Sequence, residues 1–304
     1  MQLAESQLGT VGSGNHYINL MEDDHGHIWV GVHFGSRGFG HKTASGFLAL
    51  AEGKHFDERA VEGEMDSPPV LFEVGSELGD AYIAAMELAG EYAYAGRDVV
   101  VDKVLEILGA EAMHEVHNHH NFAWREEHLG RTYWVIRKGC TPARPGQEGF
   151  VGGSMGDVFV ILEGVKSAEN EQALYSTVHG AGRVMSRSQA AGRVRRRKRW
   201  ACTSRDCPYA SQDPGTCPEH GVKLRKVWIE EQLKLGLVDW PAVQDRLREQ
   251  GVVLVGGGAD EAPEVYKRLP DVLAAHGQTI RVTHTLRPLG VAMAGRDVHD
   301  PYKD

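Results

Sequence analysis

Residues 131–164 read RTYWVIRKGCTPARPGQEGFVGGSMGDVFVILEG. The two ends, Arg131–Gly139 and Asp157–Gly164, are rich in β-branched, aromatic and aliphatic residues and predict strands. Between them lie proline and glycine residues, among them the glycines of the GGSMG cluster. Before this stretch, HYINLM (His16–Met21) and HIWVGVHF (His27–Phe34) predict two more strands, turned around Asp23–Gly26. Residues 41–62 predict a helix, with Pro68 and Pro69 interrupting the stretch that follows. Residues 77–108 carry apolar positions at three and four spacings and predict a helix that Gly96 splits in two. After it, Arg183–Ala191, IEEQLKLG (Ile229–Gly236) and WPAVQDRLREQG (Trp240–Gly251) predict helices. VVLVGGG predicts a short buried strand, residues 261–277 two short helices, and residues 279–295 the final strands. There is no repeat and no regular βαβ rhythm, so the expected class is α+β: a β-rich core carrying glycine loops, with flanking helices.

A chain of 304 residues with 41% hydrophobic and 25% charged residues is long enough for a sizeable core and has a globular composition. No apolar run reaches the length of a membrane helix, and the first residues carry no signal-peptide pattern, so the expectation is a cytoplasmic protein without a membrane partner. The net charge of −9 argues against a nucleic-acid partner, but its distribution does not. Between Arg193 and Lys226, ten Lys/Arg face three Asp/Glu, a local balance of +7 against about −16 elsewhere. Residues 193–226 therefore stand out as a basic insert within a core of 1–192 and 227–304: a nucleic-acid contact, or a solvated linker. Three of the four cysteines lie in it, and Cys202-x4-Cys207-x9-Cys217-x2-His220 offers three thiolates and an imidazole. That set suits tetrahedral Zn²⁺, although its spacing matches no standard finger; a reduced, flexible loop is the alternative.

The 37 glycines cluster in GTVGSG, GSRGFG, GGSMG, HGAGR and VGGG. Several such loops let backbone N–H groups approach an anion or nucleotide. Of the sixteen histidines, His25, His27, His55, His276 and His299 lie in polar stretches and are expected to be solvated. His16, His33, His120 and His179 stand beside glycine or asparagine, where an imidazole is a metal ligand, an ordinary loop residue or, in HGAGR, a nucleophile toward phosphorus held by backbone N–H groups and Arg183.

Taken in order, GTVGSGNHYINL (Gly9–Leu20), VGVHFGSRGFGHK (Val30–Lys42), HNHHNFAWREEH, VIRKGCTPARPGQEGFVGGSMG, STVHGAGRVMSRSQA, DEAPEVYK and TLRPLGV resemble the RtcB family of RNA ligases. The resemblance implies joining of an RNA 3′-phosphate or 2′,3′-cyclic phosphate to a 5′-hydroxyl, with GTP and manganese, in tRNA splicing or RNA repair. It implies that His179 takes the guanylate as a phosphoramidate. The guanylate then passes to the RNA 3′-phosphate, and the 5′-hydroxyl attacks and releases GMP. His16, His33 and His120 match metal-binding histidines. Asn15, Asn121, Gly152, Gly153, Ser154, Met155, Gly180, Ala181 and Gly182 match nucleotide-contacting positions, with Arg183 beside them. An accessory activator would also fit the resemblance.

Departures accompany the match. The family's Asp-Val-Gly-Cys-Gly-Met type segment, whose Asp and Cys bind metal, is not among these residues; the expectation is a fragment, a displaced start or a variant with fewer ligands. Asn19 stands where the family usually has a glutamate, Phe159 near a family serine, and Met293-Ala294-Gly295 where a lysine–glycine pair contacts guanine. An amide at Asn19 can bond a base but lacks the charge that suits guanine's N–H donors. The alternatives are therefore a relative using another nucleotide, or a non-catalytic binder of RNA ends. Lys303 in the tail is a further candidate contact.

Overall fold

A computed structural model describes residues 2–60 and 69–295. Pro68, the end of the 41–62 stretch, His299 and Lys303 lie outside the described residues. In chain order the elements are α1 (Gln2–Gln7), β1 (Tyr17–Asp23), β2 (Ile28–His33), α2 (Arg37–Ala51), α3 (Glu77–Leu108), β3 (Asn121–His128), β4 (Arg131–Lys138), β5 (Cys140–Pro142), β6 (Glu148–Val151), β7 (Phe159–Gly164), α4 (Ala168–Gln172), β8 (Ser176–Val178), α5 (Arg187–Ala191), β9 (Arg193–Ala201), β10 (Ala210–Ser211), β11 (Arg225–Lys234), α6 (Trp240–Glu249), β12 (Val253–Val255), α7 (Leu269–Ala274) and β13 (Ile280–Met293).

The fold is α+β. Its main sheet has the order β2-β1-β13-β7-β6, with β12 pairing alongside β13. All pairings are antiparallel except β12 with β13. The centre of the sheet is apolar on both faces: Phe159, Val160, Ile161 and Leu162 of β7 are all buried, as a covered strand requires. Burying each such side chain contributes about 1.5–3 kcal/mol.

Helix α3 runs unbroken through Gly96, contrary to the expected split. A Cβ at Gly96 would lie 3.4 Å from the Phe34 ring, so this glycine serves close packing and not chain reversal. The helix starts at Ser76, whose hydroxyl accepts from the Gly79 N–H, and stops at Gly109, which takes the left-handed conformation (φ 62°).

Four further expectations are corrected. IEEQLKLG is strand up to Lys234, not helix: Ile229 to Gln232 pair in register with β9, and Lys234 pairs again beyond a shift at Leu233. Its mixed charges and leucines fit either period, and the partner strand decides. This ribbon continues to Lys234, past the end of the basic run at Lys226. β12 is a strand but not a buried one, since Val253 and Val255 are exposed. The helix expected from Arg183 begins at Arg187, after Ser186 caps it with a reciprocal Gln189 bond. The final strands are one strand of 14 residues.

Candidate functional site

Five chain-distant segments meet at one end of the main sheet. The loop before β1 presents Asn15 and His16, and the end of β2 presents His33. His120 precedes β3, the GGSM loop follows β6, and His179 follows β8. Two backbone bonds join the last two loops: the Gly152 N–H donates to the His179 carbonyl (3.2 Å) and the Ala181 N–H to the Gly152 carbonyl (3.0 Å). Gly139 is a second junction. Its positive φ (72°) turns the chain out of β4, so that its N–H donates to the His120 carbonyl at 2.7 Å and its carbonyl accepts from His179 Nδ1 at 2.7 Å. A carbonyl only accepts, so His179 carries a proton on Nδ1, and of the two neutral tautomers this is the one that puts the lone pair on Nε2.

The four histidines form a row. Ring centres lie 6.3 Å apart for His16–His33, 4.9 Å for His33–His120 and 4.5 Å for His120–His179. His16 Nδ1 donates to the Val11 carbonyl (2.8 Å). Burial, and then the neighbouring imidazoles, hold His33 well below the usual histidine range; burial and then His179 take His120 to about 3. Neutral imidazole is the ligating form.

Two cavities share this row. One, of about 270 Å³, is lined by Asn15, Tyr17, Asn19, His33, Gly152, Gly153, Ser154, Met155, Phe159, His179, Gly180, Ala181, Gly182, Arg183, Arg187, Glu261, Tyr266, Val291 and Met293. The other, of about 340 Å³, shares Asn15 and His33 with it and adds His16, Arg97, His119, His120 and Asn121. The structure thus gathers Asn19, the GGSM residues and Gly180 to Arg183 on one cavity. It puts Asn121 on the other, where Asn121 Oδ1 accepts from the Gly139 N–H.

Arg183 is more constrained than its place in HGAGR implies. Its guanidinium bonds to Glu261 (3.2 Å), the Tyr266 hydroxyl (3.1 Å) and the carbonyls of Asp260 (2.6 Å) and Met185 (3.3 Å), so it braces the wall. The Tyr266 hydroxyl also bonds Glu261, and burial, then that carboxylate, raises its pKa.

Two side chains that line these cavities have buried polar atoms without a partner. Asn19 is 1% exposed, and neither its amide nitrogen nor its oxygen is hydrogen-bonded. Arg97, from the middle of α3, donates to the Phe34 carbonyl (2.9 Å) and His117 (2.7 Å), while its buried Nη2 has no acceptor. Leaving such groups unmet costs about 1–3 kcal/mol each, which a polar ligand would recover. Nothing in the sequence pattern marks Arg97, which sits in a segment read only for its helix signal; Glu261 and Tyr266 lie in DEAPEVYK, one of the segments that carry the resemblance, but no role is expected of either.

Among the described residues, two groups bring three or more potential ligand atoms within 4.8 Å of one another: Cys202, Cys207, Cys217 and His220, and Asp98, Glu115 and His117. His117 already accepts from Arg97 and faces Asp98 at 3.4 Å. The row of His16, His33 and His120 makes no such group. Its donors suit a borderline divalent ion, but they do not close around one point, so any ion there draws other ligands as well.

The solvated histidines divide. His25, His27 and His55 are exposed; His276 is half-buried, bonds Thr279 at 3.2 Å, and has its pKa lowered by burial. Among the described residues no helix is long and apolar enough to cross a membrane.

Fold and cavity together define an α+β protein with a glycine-walled, histidine-lined site. The family model described as tRNA-splicing ligase RtcB matches residues 1–214, and the chain belongs to the RtcB family. The chain is 30% identical over 292 residues to the RNA-splicing ligase RtcB of Escherichia coli K12, covering 92% of this chain and 59% of that one. It is 29% identical over 336 residues to the tRNA-splicing ligase RtcB of Pyrococcus horikoshii (96% and 33%). It is 32% identical over 231 residues to that of Pyrobaculum aerophilum (60% and 46%). The chain therefore spans about three-fifths of the length of the Escherichia coli relative.

Proposed function

We propose that this chain carries the nucleotide-transfer centre of an RNA ligase that joins 3′-phosphate or 2′,3′-cyclic phosphate ends to 5′-hydroxyl ends, in tRNA splicing or RNA repair. The observation that carries the reading is His179: its Nδ1 is committed to the Gly139 carbonyl, which leaves Nε2 as a nucleophile on the wall of a glycine-lined cavity. In this reading Nε2 attacks the α-phosphorus of GTP. The N–P bond forms, the bond to pyrophosphate breaks, and the guanylate then passes to an RNA 3′-phosphate oxygen. Attack by the 5′-hydroxyl expels GMP. The GGSM and HGAGR loops cradle the phosphates, and Asn15 and Asn121 flank the approach. Mn²⁺, held through His16, His33 and His120, supplies charge neutralisation when bound. The Arg97 nitrogen without an acceptor supports an anion in the neighbouring cavity.

The test is incubation of the full chain with Mn²⁺ and α-labelled GTP, without RNA. A covalent adduct is expected and is lost in His179→Ala. An adduct that survives His179→Ala overturns the mechanism. Salt-sensitive RNA binding with no adduct from any nucleotide makes the chain a non-catalytic binder of RNA ends.

A second reading concerns the base. Asn19 offers both a donor and an acceptor, and Met293 and Phe159 line the same cavity. This set is compatible with a nucleotide other than GTP. ATP labelling the protein as well as GTP would favour it, and GTP labelling at least a hundredfold better would exclude it.

A further inference from the structure

The insert holds a second centre, remote in composition from the histidine row. We infer that Cys202, Cys207, Cys217 and His220 bind one structural Zn²⁺ at the tip of the β9–β11 ribbon. The four side chains come from two tight turns. In the first, the Cys207 N–H donates to the Ser204 carbonyl (3.2 Å) and the Cys202 N–H to the Tyr209 carbonyl (3.0 Å). In the second, the Cys217 N–H donates to the Val222 carbonyl and the Gly221 N–H to the Cys217 carbonyl, both at 2.8 Å.

The spacing of the ligand atoms is the argument. An ion with Zn–S of about 2.3 Å and Zn–N of about 2.0–2.1 Å in tetrahedral geometry sets its sulfurs about 3.8 Å apart and sulfur from nitrogen about 3.6 Å. Cys207 and Cys217 Sγ lie 3.8 Å apart. His220 Nδ1 lies 3.7 Å from Cys217 Sγ and 3.9 Å from Cys202 Sγ. A disulfide would need about 2.05 Å between sulfurs, and all four cysteines of the chain are free. The tip also lacks the means to hold itself. Its core is Cys202, Cys217 and Leu224, with Trp200, Cys207 and Tyr209 packed around them, and its one strand, β10, has two residues. A core that small needs a staple.

The full chain, stripped of metal and titrated with Co²⁺, should bind one ion with the thiolate charge-transfer and d–d bands of a tetrahedral sulfur site, and Zn²⁺ should bleach them. Cys217→Ser should abolish the bands and His33→Ala should leave them intact. Where Cys217→Ser fails to fold, His220→Cys keeps four ligands and should bind Co²⁺ with a shifted band. Bands that persist in Cys217→Ser overturn the site, as does a metal-free chain that is fully folded and carries a Cys207–Cys217 disulfide.

The same ribbon carries a second, independent signal. Opposed residues of an antiparallel pair share a face, and the register pairs Lys198 with Trp228 and Trp200 with Lys226. Lys198 Nζ sits 5.1 Å from the Trp228 ring centre and Lys226 Nζ 5.9 Å from that of Trp200. Trp228 is 59% exposed, whereas Arg197, Arg199, Val227 and Ile229 on the opposite face are half-buried. Exposed Trp228 beside Lys198, in a ribbon whose residues 193–234 carry 11 Lys/Arg against 5 Asp/Glu, is a stacking platform with charges that complement phosphate. The ribbon springs from α5, whose Arg187 lines the first cavity. We propose that this face binds single-stranded RNA, an inference that rests on RNA being the substrate. Anisotropy of a labelled 3′-phosphorylated RNA dodecamer should show Trp228→Ala weakening binding roughly tenfold. Lys198→Glu should also weaken it and flatten its salt dependence. Unchanged affinity in both variants overturns the platform. The two readings fail separately, because the His179 adduct forms without RNA and both variants should label with nucleotide as the parent does.

Discussion

Arg137→Ala should destabilise the protein by about 3 kcal/mol. Arg137 is 1% exposed and the largest fully buried side chain of the described residues. Its guanidinium holds Glu126 through two bonds (2.7 and 3.0 Å), donates to Ser176 Oγ (2.9 Å) and donates to the Leu174 carbonyl (2.8 Å). That last bond lands on a strained turn, since Leu174 (φ 52°) and Tyr175 (φ 50°) both adopt the left-handed region. Breaking a buried ion pair costs about 3–5 kcal/mol, because the surviving charge is left without compensation. Here Glu126 keeps His128 at 2.7 Å and Arg144 at 3.3 Å, which places the loss at the low end. At about 2 °C per kcal/mol for a chain of this size, the melting temperature should fall by about 6 °C in a calorimetric or fluorescence melt. The pH dependence has a definite sign. Burial alone would raise the Glu126 pKa, but the Arg137 and His128 bonds overcome it and hold it below its usual value. Its stabilisation is therefore full above the ordinary carboxylate range and lost as pH falls through the lowered value. The gap between parent and variant should be widest near neutrality and close in acid. A drop under about 2 °C at pH 7, or a gap that widens on acidification, would refute the account.

Three other substitutions test separate parts of the structure. Asn19→Leu removes two unmet buried polar atoms and should raise the melting temperature by several degrees while weakening nucleotide binding roughly tenfold or more, read by melting and by filter binding side by side. Gly12→Ala forces a Cβ to φ 85° and within 2.0 Å of the Arg37 guanidinium, so the GTVGSG loop must shift; a stability loss above about 1 kcal/mol in urea titration is expected. Ser76→Ala deletes the N-cap of α3 and should cost about 1 kcal/mol in the same titration, whereas Ser76→Asp should cost little.

The α+β class, both strands of the first hairpin and the helices α3 and α6 could be read from period and punctuation. The errors have physical causes. Gly96 looks like a break, but its lack of a side chain is used by Phe34, a contact with no local signature. β11 reads as helix because charge and leucine spacing fit both periods, and only its pairing with β9 along nine of its ten residues resolves it. β3 escapes because NFAWREEH alternates weakly, with Glu126 and His128 buried as an ion-paired set. Spacing cannot assemble the site, since its histidines come from four distant segments; the ordered motifs brought them together by resemblance. The Cys/His set was legible in place, whereas Arg97 and Glu261 face the cavities only because the tertiary fold turns them there.

The pairing of β1 with β13 sets the order in which this site can come into being. The Glu22–Arg287 ion pair bridges 265 positions, and Asn19 lies in register with Val291. A ribosome would have made every histidine of the row long before the strand that backs them. Until β13 is in place, the cavity that holds Asn19 lacks the wall supplied by Val291 and Met293. Closing so long a loop adds little to the equilibrium cost, which grows only as the logarithm of length, but it delays the contact. The side of the cavity that faces Asn19 is therefore among the last parts of the described fold to form.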